Sequence, residues 1–397
     1  MSTTESAPRR PPAPAARRAR VAVAAVFLTN GALFANVVPR YPQLKTELGM
    51  SNAVLGTVVA AMPLGALVAG LFASAAIRRF RSSRVATMGI VLFAAATTLV
   101  AVAPTWFALA AVMFVLGALD AVIDVAQNAH GLRVQRSYGR SIVNSFHGLW
   151  SVGAVLGGLL GSAAAGLRLP LGVHLASTAV LFSAVAVVAL RFMLPGPEDA
   201  EREPAPATPA TTTGGRSLRG TAVRMLAALG VLAMCGAIVE DAGASWGALY
   251  LTGLNASAAT AGLAFVALQG AMTVGRLTGD RAVDRFGQRT VVRVGGLLTA
   301  TGMGVALGFP SIGTALAGFA LAGLGVATLI PAAMHSADEL PGLPDGLGLT
   351  VVSWLLRVGF LASPPLVGLI ADLSSLRVGL LGVVVAGVLT VALSRRV

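Results

Sequence analysis

The sequence predicts an all-α polytopic membrane protein in which twelve transmembrane helices form two pseudo-symmetric six-helix bundles. Three observations carry this. Of 397 residues, 56% are hydrophobic and only 11% charged, with a mean hydropathy of +0.81, whereas a soluble domain carries about a quarter charged residues. Arginines gather in alternate gaps between long apolar runs. The second half of the chain also repeats the first at a fixed offset.

A helix needs roughly 20 apolar residues to cross a bilayer, so twelve crossings use about 240. The apolar runs fall at 21–38, 53–77, 85–103, 106–128, 142–166 and 171–194, then at 221–249, 258–279, 290–309, 311–335, 347–371 and 378–394. Residues 195–220, between the two sets, are rich in Pro, Ala, Thr and acids and hold too little apolar surface to fold. The expected layout is a cytoplasmic Arg/Pro-rich tail at 1–20, an N-terminal bundle at 21–194, a disordered cytoplasmic linker at 195–220 and a C-terminal bundle at 221–397. Arg9, Arg10, Arg17, Arg18 and Arg20 precede the first run without a small-residue cleavage site, which favours an uncleaved tail over a signal peptide.

The net charge of +13 does not point to nucleic acid. Lys45 is the single lysine, and the arginines sit in short clusters between spans rather than interleaved with polar and aromatic residues on one element. With the N-terminus inside, the inner segments receive Arg78, Arg79, Arg81, Arg84, Arg133, Arg136, Arg140, Arg281, Arg285, Arg289 and Arg293, and the outer ones only Arg40, Lys45, Arg168 and Arg377. The positive-inside rule therefore places both termini in the cytoplasm of a cell membrane. Cys235 is the only cysteine, so no intramolecular disulfide forms.

Shifting the first half by 206 positions superposes Leu48 on Leu254, Ser51 on Ser257, Gly56 on Gly262, Phe80 on Phe286, Gly89 on Gly295, Pro104 on Pro310, Gly117 on Gly323 and Val152-Gly153 on Val358-Gly359. A tandem six-span repeat predicts two bundles related by an axis along the membrane normal, with a site between them near the midplane.

Local stretches carry a family resemblance. In the first half they are Asn30-Gly31, Arg40-Tyr41-Pro42, Leu48-Gly49-Met50-Ser51, Leu55-Gly56, Asp124-Val125 with Asn128, and Ser145 to Gly153. In the second they are Glu240 with Trp246, Gly275-Arg276-Leu277, Gly279-Asp280-Arg281, Asp284-Arg285-Phe286-Gly287, Gly359-Phe360-Leu361, Pro364-Pro365 and Gly368. In this order they resemble the major facilitator superfamily of secondary transporters, and within it a bacterial inner-membrane branch near the fucose permease group. The resemblance implies the major facilitator fold and alternating access for a small solute. The chain departs from the pattern at Arg78, where the superfamily's loop carries an acid that only the second copy, Asp284, keeps. Ser245 also stands where the branch often has an acid, and Gln135 where it has Glu.

Charges inside spans are costly and functional by default. They are Asp120 and Asp124 in the fourth span, Glu240 and Asp241 in the seventh and Arg357 in the eleventh. Asp120, Asp124 and Asn128 recur every fourth residue and so share one helix face. At 1.5 Å per residue, Asp120 and Arg357 both lie ~15 Å from the inner ends of their spans, level near mid-membrane. Burial favours a protonated carboxylate and a nearby guanidinium an ionised one, so an arginine that moves between states loads and releases a proton. Asp120, Asp124, Glu240 and Arg357 are the expected proton-coupling set. Asp241 is set aside because Glu240 fits the family position better. Asn30, Asn36, Asn128, Asn144, His147, Trp246 and Gln269 are the expected cavity wall. His130, His174 and His335 sit at span ends and are expected to face water, and Gly153, Gly157, Gly158 and Gly161 to let helices pack closely. Arg78, Arg79, Asp280, Arg281, Asp284, Arg285 and Arg289 form the expected cytoplasmic gate, with Asp284 pairing an arginine of the 133–140 loop when that gate is closed.

Zinc-protease, serine-nucleophile and phosphate-loop motifs are absent from the sequence, and Gly117-Ala118-Leu119-Asp120 is not an intramembrane aspartyl protease turn. No enzymatic activity, metal or cofactor is expected. The low aromatic content (6%) and few amides favour an apolar cavity, hence proton-coupled efflux of a drug-like or amphipathic metabolite by a monomer in the lipid bilayer; the alternative is proton-coupled uptake of a sugar or small polar metabolite. The expected partners are that small molecule and protons.

Overall fold

The computed structural model describes residues 14–138, 142–196, 198, 220–340 and 347–396, so most of the expected tail and linker, Arg140 and Asp345 lie outside the described residues. Each expected run is a helix long and apolar enough to cross a membrane. The spans are α1 Pro14–Glu47, α2 Asn52–Phe80, α3 Ser82–Val102, α4 Trp106–Tyr138, α5 Val143–Gly166, α6 Leu171–Leu190, α7 Ala222–Gly253, α8 Ala258–Phe286, α9 Gln288–Gly308, α10 Ile312–Asp338, α11 Leu347–Leu373 and α12 Leu376–Arg396. No β-strand occurs among the described residues. Twelve crossings return the chain to its starting side. That side, which carries Pro14 and Arg396, is the terminal face and the opposite one the far face.

Local chemistry explains the bounds. α1 is already helical at Pro14, the first described residue and seven before the apolar run. Arg17, Arg18 and Arg20 therefore belong to a helix. Ser51 and Ser257 cap α2 and α8 by accepting from the backbone N–H of Val54 and Thr260. In α10 the chain leaves the helix at Ala327 and Thr328, where the ring of Pro331 would clash with the carbonyl four residues before it. α7 widens into a π-helical turn over Ala242–Trp246.

The repeat read from the sequence is visible in the backbone. Gly49 and Asn255 have φ 58° and 62°, and Arg81 and Gly287, at the α2/α3 and α8/α9 corners, have φ 72° and 78°. Left-handed φ suits glycine, so Arg81 keeps the corner of its twin at a steric cost. Packing repeats as well: a Cβ on Gly117 would meet the carbonyl of Met62, and one on Gly323 that of Leu268. Gly153 similarly lies on Leu28 and Gly359 on Met234. Each of these pairs is offset by the same 206 positions.

Within the first bundle α1 packs on α5 and α2 on α4; in the second α7 packs on α11 and α8 on α10. The bundles meet through α2 with α11 and α5 with α8. Gly153, Gly157 and Gly161 lie against backbone carbonyls of α1, at Leu28, Ala32 and Asn36, while Gly158 lies against Phe265 of α8. That glycine stripe closes one bundle and touches the other.

Candidate functional site

Two chambers lie in line between the bundles. The central one, of about 320 Å³, is walled by both halves: Phe34 and Tyr41 from α1, Asp120 from α4, Trp150 from α5, Glu240, Asp241 and Ser245 from α7, Phe265 and Gln269 from α8, and Arg357 and Phe360 from α11. The other is a vestibule of about 770 Å³, walled by Asn144, His147 and Ser151 of α5, Thr273, Arg276, Asp280 and Asp284 of α8, and His335 of α10. Asp280, Asp284 and His335 are exposed, so the vestibule opens at the terminal face. Trp150 belongs to both walls. Beside it, Glu240 on the central wall meets Arg276 on the vestibule wall, oxygen to nitrogen 3.4 Å. These three side chains mark the passage between the chambers.

The far face is shut. At the α2–α11 seam the Asp372 carboxylate accepts from the backbone N–H of Asn52 (2.9 Å) and Ala53 (2.8 Å) and from Asn52 Nδ2 (2.9 Å). At the α5–α8 seam, Gly166 and Ser162 meet Ala259 and Gly262. The cavity is thus closed at one end and continuous with open space at the other.

The fourth-span periodicity puts Asp120, Asp124 and Asn128 on one face of α4. Asp120 reaches the central wall, with the Asn30 side chain beside it. Its Oδ1 is buried without a hydrogen-bond partner. One turn toward the terminal face, Asp124 is exposed and accepts from Asn128 Nδ2 (3.0 Å) and Gln127 Nε2 (3.4 Å). Asn128 Oδ1 meets His147 Nε2 at 3.1 Å, and His147 lies on the vestibule wall. A hydrogen-bonded chain thus runs from Asp124, one helical turn from Asp120, to the open chamber. Across the cavity, Arg357 is exposed and has no carboxylate within salt-bridge distance among the described residues.

The chain matches the family model described as Major Facilitator Superfamily over residues 23–276 and 241–396. It is 30% identical over 380 residues to the membrane protein MosC of Rhizobium meliloti, covering 94% of this chain and 88% of that protein. It is 29% identical to an uncharacterised MFS-type transporter of Yersinia pestis, covering 95% of each. Among solved structures, the nucleoside transporter NupG overlays with a TM-score of 0.71 at 12% identity, covering 95% of this chain and 98% of that one. The chain belongs to the major facilitator superfamily. It is a multi-pass membrane transporter, not an enzyme.

Within this superfamily fold, several expected residues stand elsewhere. Asn36 does not reach the cavity: it is buried between α1 and α6, donating to Thr178 Oγ1 (2.9 Å) and meeting His174 Nε2 (2.8 Å). His174 therefore faces protein, not water. His130 is also fully buried and lies 3.0 Å from Ser82 Oγ. Only His335 is exposed as expected, beside Glu339. Trp246 is fully buried at the end of the π turn and absent from both walls; the widened turn rotates it into its own bundle. Gln269 lines the central chamber and Asn144 the vestibule.

At the terminal face, Arg78, Arg79, Arg281, Arg285 and Arg289 are exposed and off the vestibule wall. Arg79 and Arg285 lie over Phe80 and Phe286, repeating each other. Asp284 has no cation within salt-bridge distance among the described residues. Arg133 is turned into the first bundle, donating to the Pro195 carbonyl (3.0 Å) and lying 3.7 Å from Glu198. Glu198 in turn accepts from the Ser82 N–H (2.7 Å), which pins the start of the linker to α3.

Sequence reasoning passed over Asp241 and Arg276. Asp241 is buried on the central wall and accepts from Ser245 Oγ (2.6 Å) and, across to α11, Ser363 Oγ (2.7 Å). Its signal is Ser245, a hydroxyl one helical turn on. Read only as a missing acid, that serine is instead the donor that holds the acid present.

Proposed function

We propose that this protein is a proton-coupled exporter that carries a small amphipathic solute out of the cytoplasm by alternating access. The arrangement that supports this best is the set of carboxylates from opposite bundles, Asp120 on one side and Asp241 and Glu240 on the other, facing the unpaired Arg357 in one cavity. Rocking the bundles changes the distance between Arg357 and Asp120. A carboxylate near the guanidinium is held ionised, and one moved away from it takes up a proton. The arginine asymmetry assigns the terminal face to the cytoplasm, so the conformation is open inward, and Asp124, Asn128 and His147 give protons a polar route to that side.

The wall supplies rings (Phe34, Tyr41, Trp150, Phe265, Phe360) and few amides, which fits an amphipathic solute better than a sugar. At about 320 Å³ the chamber lies at the small end of ligand pockets, roughly 300–1,000 Å³. Everted vesicles with an acid lumen, offered a panel of fluorescent amphipathic cations from outside, test the direction. Accumulation driven by an inward-acid gradient is expected, with Asp120→Asn and Arg357→Ala abolishing the driven phase but not downhill exchange. Accumulation in right-side-out vesicles alone overturns export and favours uptake.

A further inference from the structure

We propose that an anionic phospholipid binds on the outer surface of the first bundle, its phosphate held by Arg17 and Arg18 and one acyl chain lying in a slot between α1 and α6. The slot encloses about 700 Å³ and is lined by Arg17, Arg18, Val21, Ala22 and Ala25 of α1 and by Leu181, Ala184, Val185, Val188, Ala189 and Phe192 along and just past α6. Four alanines give it depth. Its rim is apolar and open, with Val21 69%, Val188 53% and Phe192 48% exposed, so it faces the lipid.

Three features identify the occupant. The first is charge. Arg17 and Arg18 are exposed at the mouth and have no acid within salt-bridge distance among the described residues. Arg20, one turn away, is already engaged, donating to Tyr138 Oη at 3.1 Å and stacking on its ring. Two guanidiniums match a phosphate diester, which accepts paired N–H bonds from such planar forks. The second is length. From Phe192 to Leu181 the α6 wall runs ~16 Å at helical rise, about half of a ~30 Å hydrocarbon core. A slot one leaflet deep with cations at its headgroup end fits a lipid and not a free anion. The third is that the repeat does not reproduce it. The twins of Leu181 and Ala184 are Gly387 and Thr390, which pack against Gly296 of α9; Arg18 has a twin in Arg224, but the twin of Arg17 is Val223, so the second half keeps neither the groove nor the pair of arginines. The slot is therefore a property of these residues rather than of the fold.

The test uses the purified full chain, delipidated and reloaded with phosphatidylglycerol or phosphatidylcholine, with bound lipid counted by native mass spectrometry. Phosphatidylglycerol should be retained in preference. The Arg17→Ala/Arg18→Ala double variant should lose about 30-fold in that preference while leaving transport in lipid-matched vesicles unchanged. Ala184→Phe fills the slot and should lower retention of the lipid with both arginines present, which keeps the proposal testable if the double variant folds poorly. Equal retention by the double variant overturns the lipid site. Complete displacement of phosphatidylglycerol by glycerol 3-phosphate also overturns it, since that is the behaviour of a free-anion site.

Discussion

The two far-face seams are related by the repeat yet are built differently. Position by position they correspond: Gly56 and Pro364 match Gly262 and Gly158, Gly368 matches Ser162, Ala53 matches Ala259, and Asp372 matches Gly166. On the α5–α8 side these positions hold small residues, and contact continues down toward the terminal face, where a Cβ on Gly148 would lie 3.6 Å from Leu277. On the α2–α11 side a carboxylate caps the first turn of α2 with three hydrogen bonds from across the interface. Two N–H groups of a helix N-terminus aimed at an anion are favourable both as hydrogen bonds and through the helix dipole. One seam is a smooth contact along which helices rock, and the other a directional latch.

Filling either seam should have the largest effect. Leucine at Gly56 puts a side chain where the backbone of Pro364 already stands, and at Gly262 where the side chains of Ser162 and Pro39 stand. Each bundle keeps its own core, so both variants should reach the membrane with far-face closure abolished and transport lost. A cysteine at Ser245 should then be labelled from the far side by an impermeant reagent. Unchanged labelling in both breaks the assignment of the far face as the closed gate.

The latch should come next. Asp372→Ala removes three charge-assisted contacts at an exposed position, where solvent screening reduces their worth. The population with the far face shut should still drop about tenfold, read as faster far-side labelling. Asp372→Asn keeps one acceptor and should fall between. Among the described residues, no carboxylate of the first half bridges the bundles at the terminal face, where Arg78 occupies the acid position, exposed and off the vestibule wall. The asymmetry favours resting with the far face shut.

In the cavity, Ser363→Ala leaves Asp241 with Ser245 as its only hydroxyl donor. A buried acceptor deprived of one partner costs ~1–3 kcal/mol. We expect thermal stability to drop by a few degrees and the pH dependence of driven transport to move, with passive exchange intact. A stability loss without any change in the pH profile assigns Asp241 a purely structural role.

The fold was legible because twelve apolar runs and one arginine asymmetry are summed over many residues, and tertiary packing does not reverse such sums. The repeat was legible at corners and glycine contacts for the same reason: Ser51 with Ser257 and Gly117 with Gly323 are demanded by backbone geometry. Single polar side chains were less so. Asn36 and Asn30 sit six residues apart on one helix, and only the position of α6 decides that Asn36 meets His174 while Asn30 lies by Asp120. Trp246 was misplaced by a π turn, which adds a residue to one turn and rotates everything after it. Asp372 at a span end resembles any solvated loop acid; its partner lies 320 residues away in sequence.

The smallest effect should be at Ser162, and it is the most discriminating. Its hydroxyl lies at the α5–α8 seam close to Gly262, in the place that Gly368 takes on the latched side. Yet it donates at 2.7 Å to the Gly158 carbonyl of its own helix and to nothing across the interface. Removing it by Ser162→Ala therefore leaves no partner unsatisfied in the other bundle, and the change should stay within ~0.5 kcal/mol, under about threefold in far-side labelling. If Ser162→Ala shifted labelling as far as Asp372→Ala does, closure would depend on packing spread evenly over both seams, and the carboxylate would lose its special standing. If only Asp372 responds, the far face opens like a door hung on α5–α8 and fastened at α2–α11.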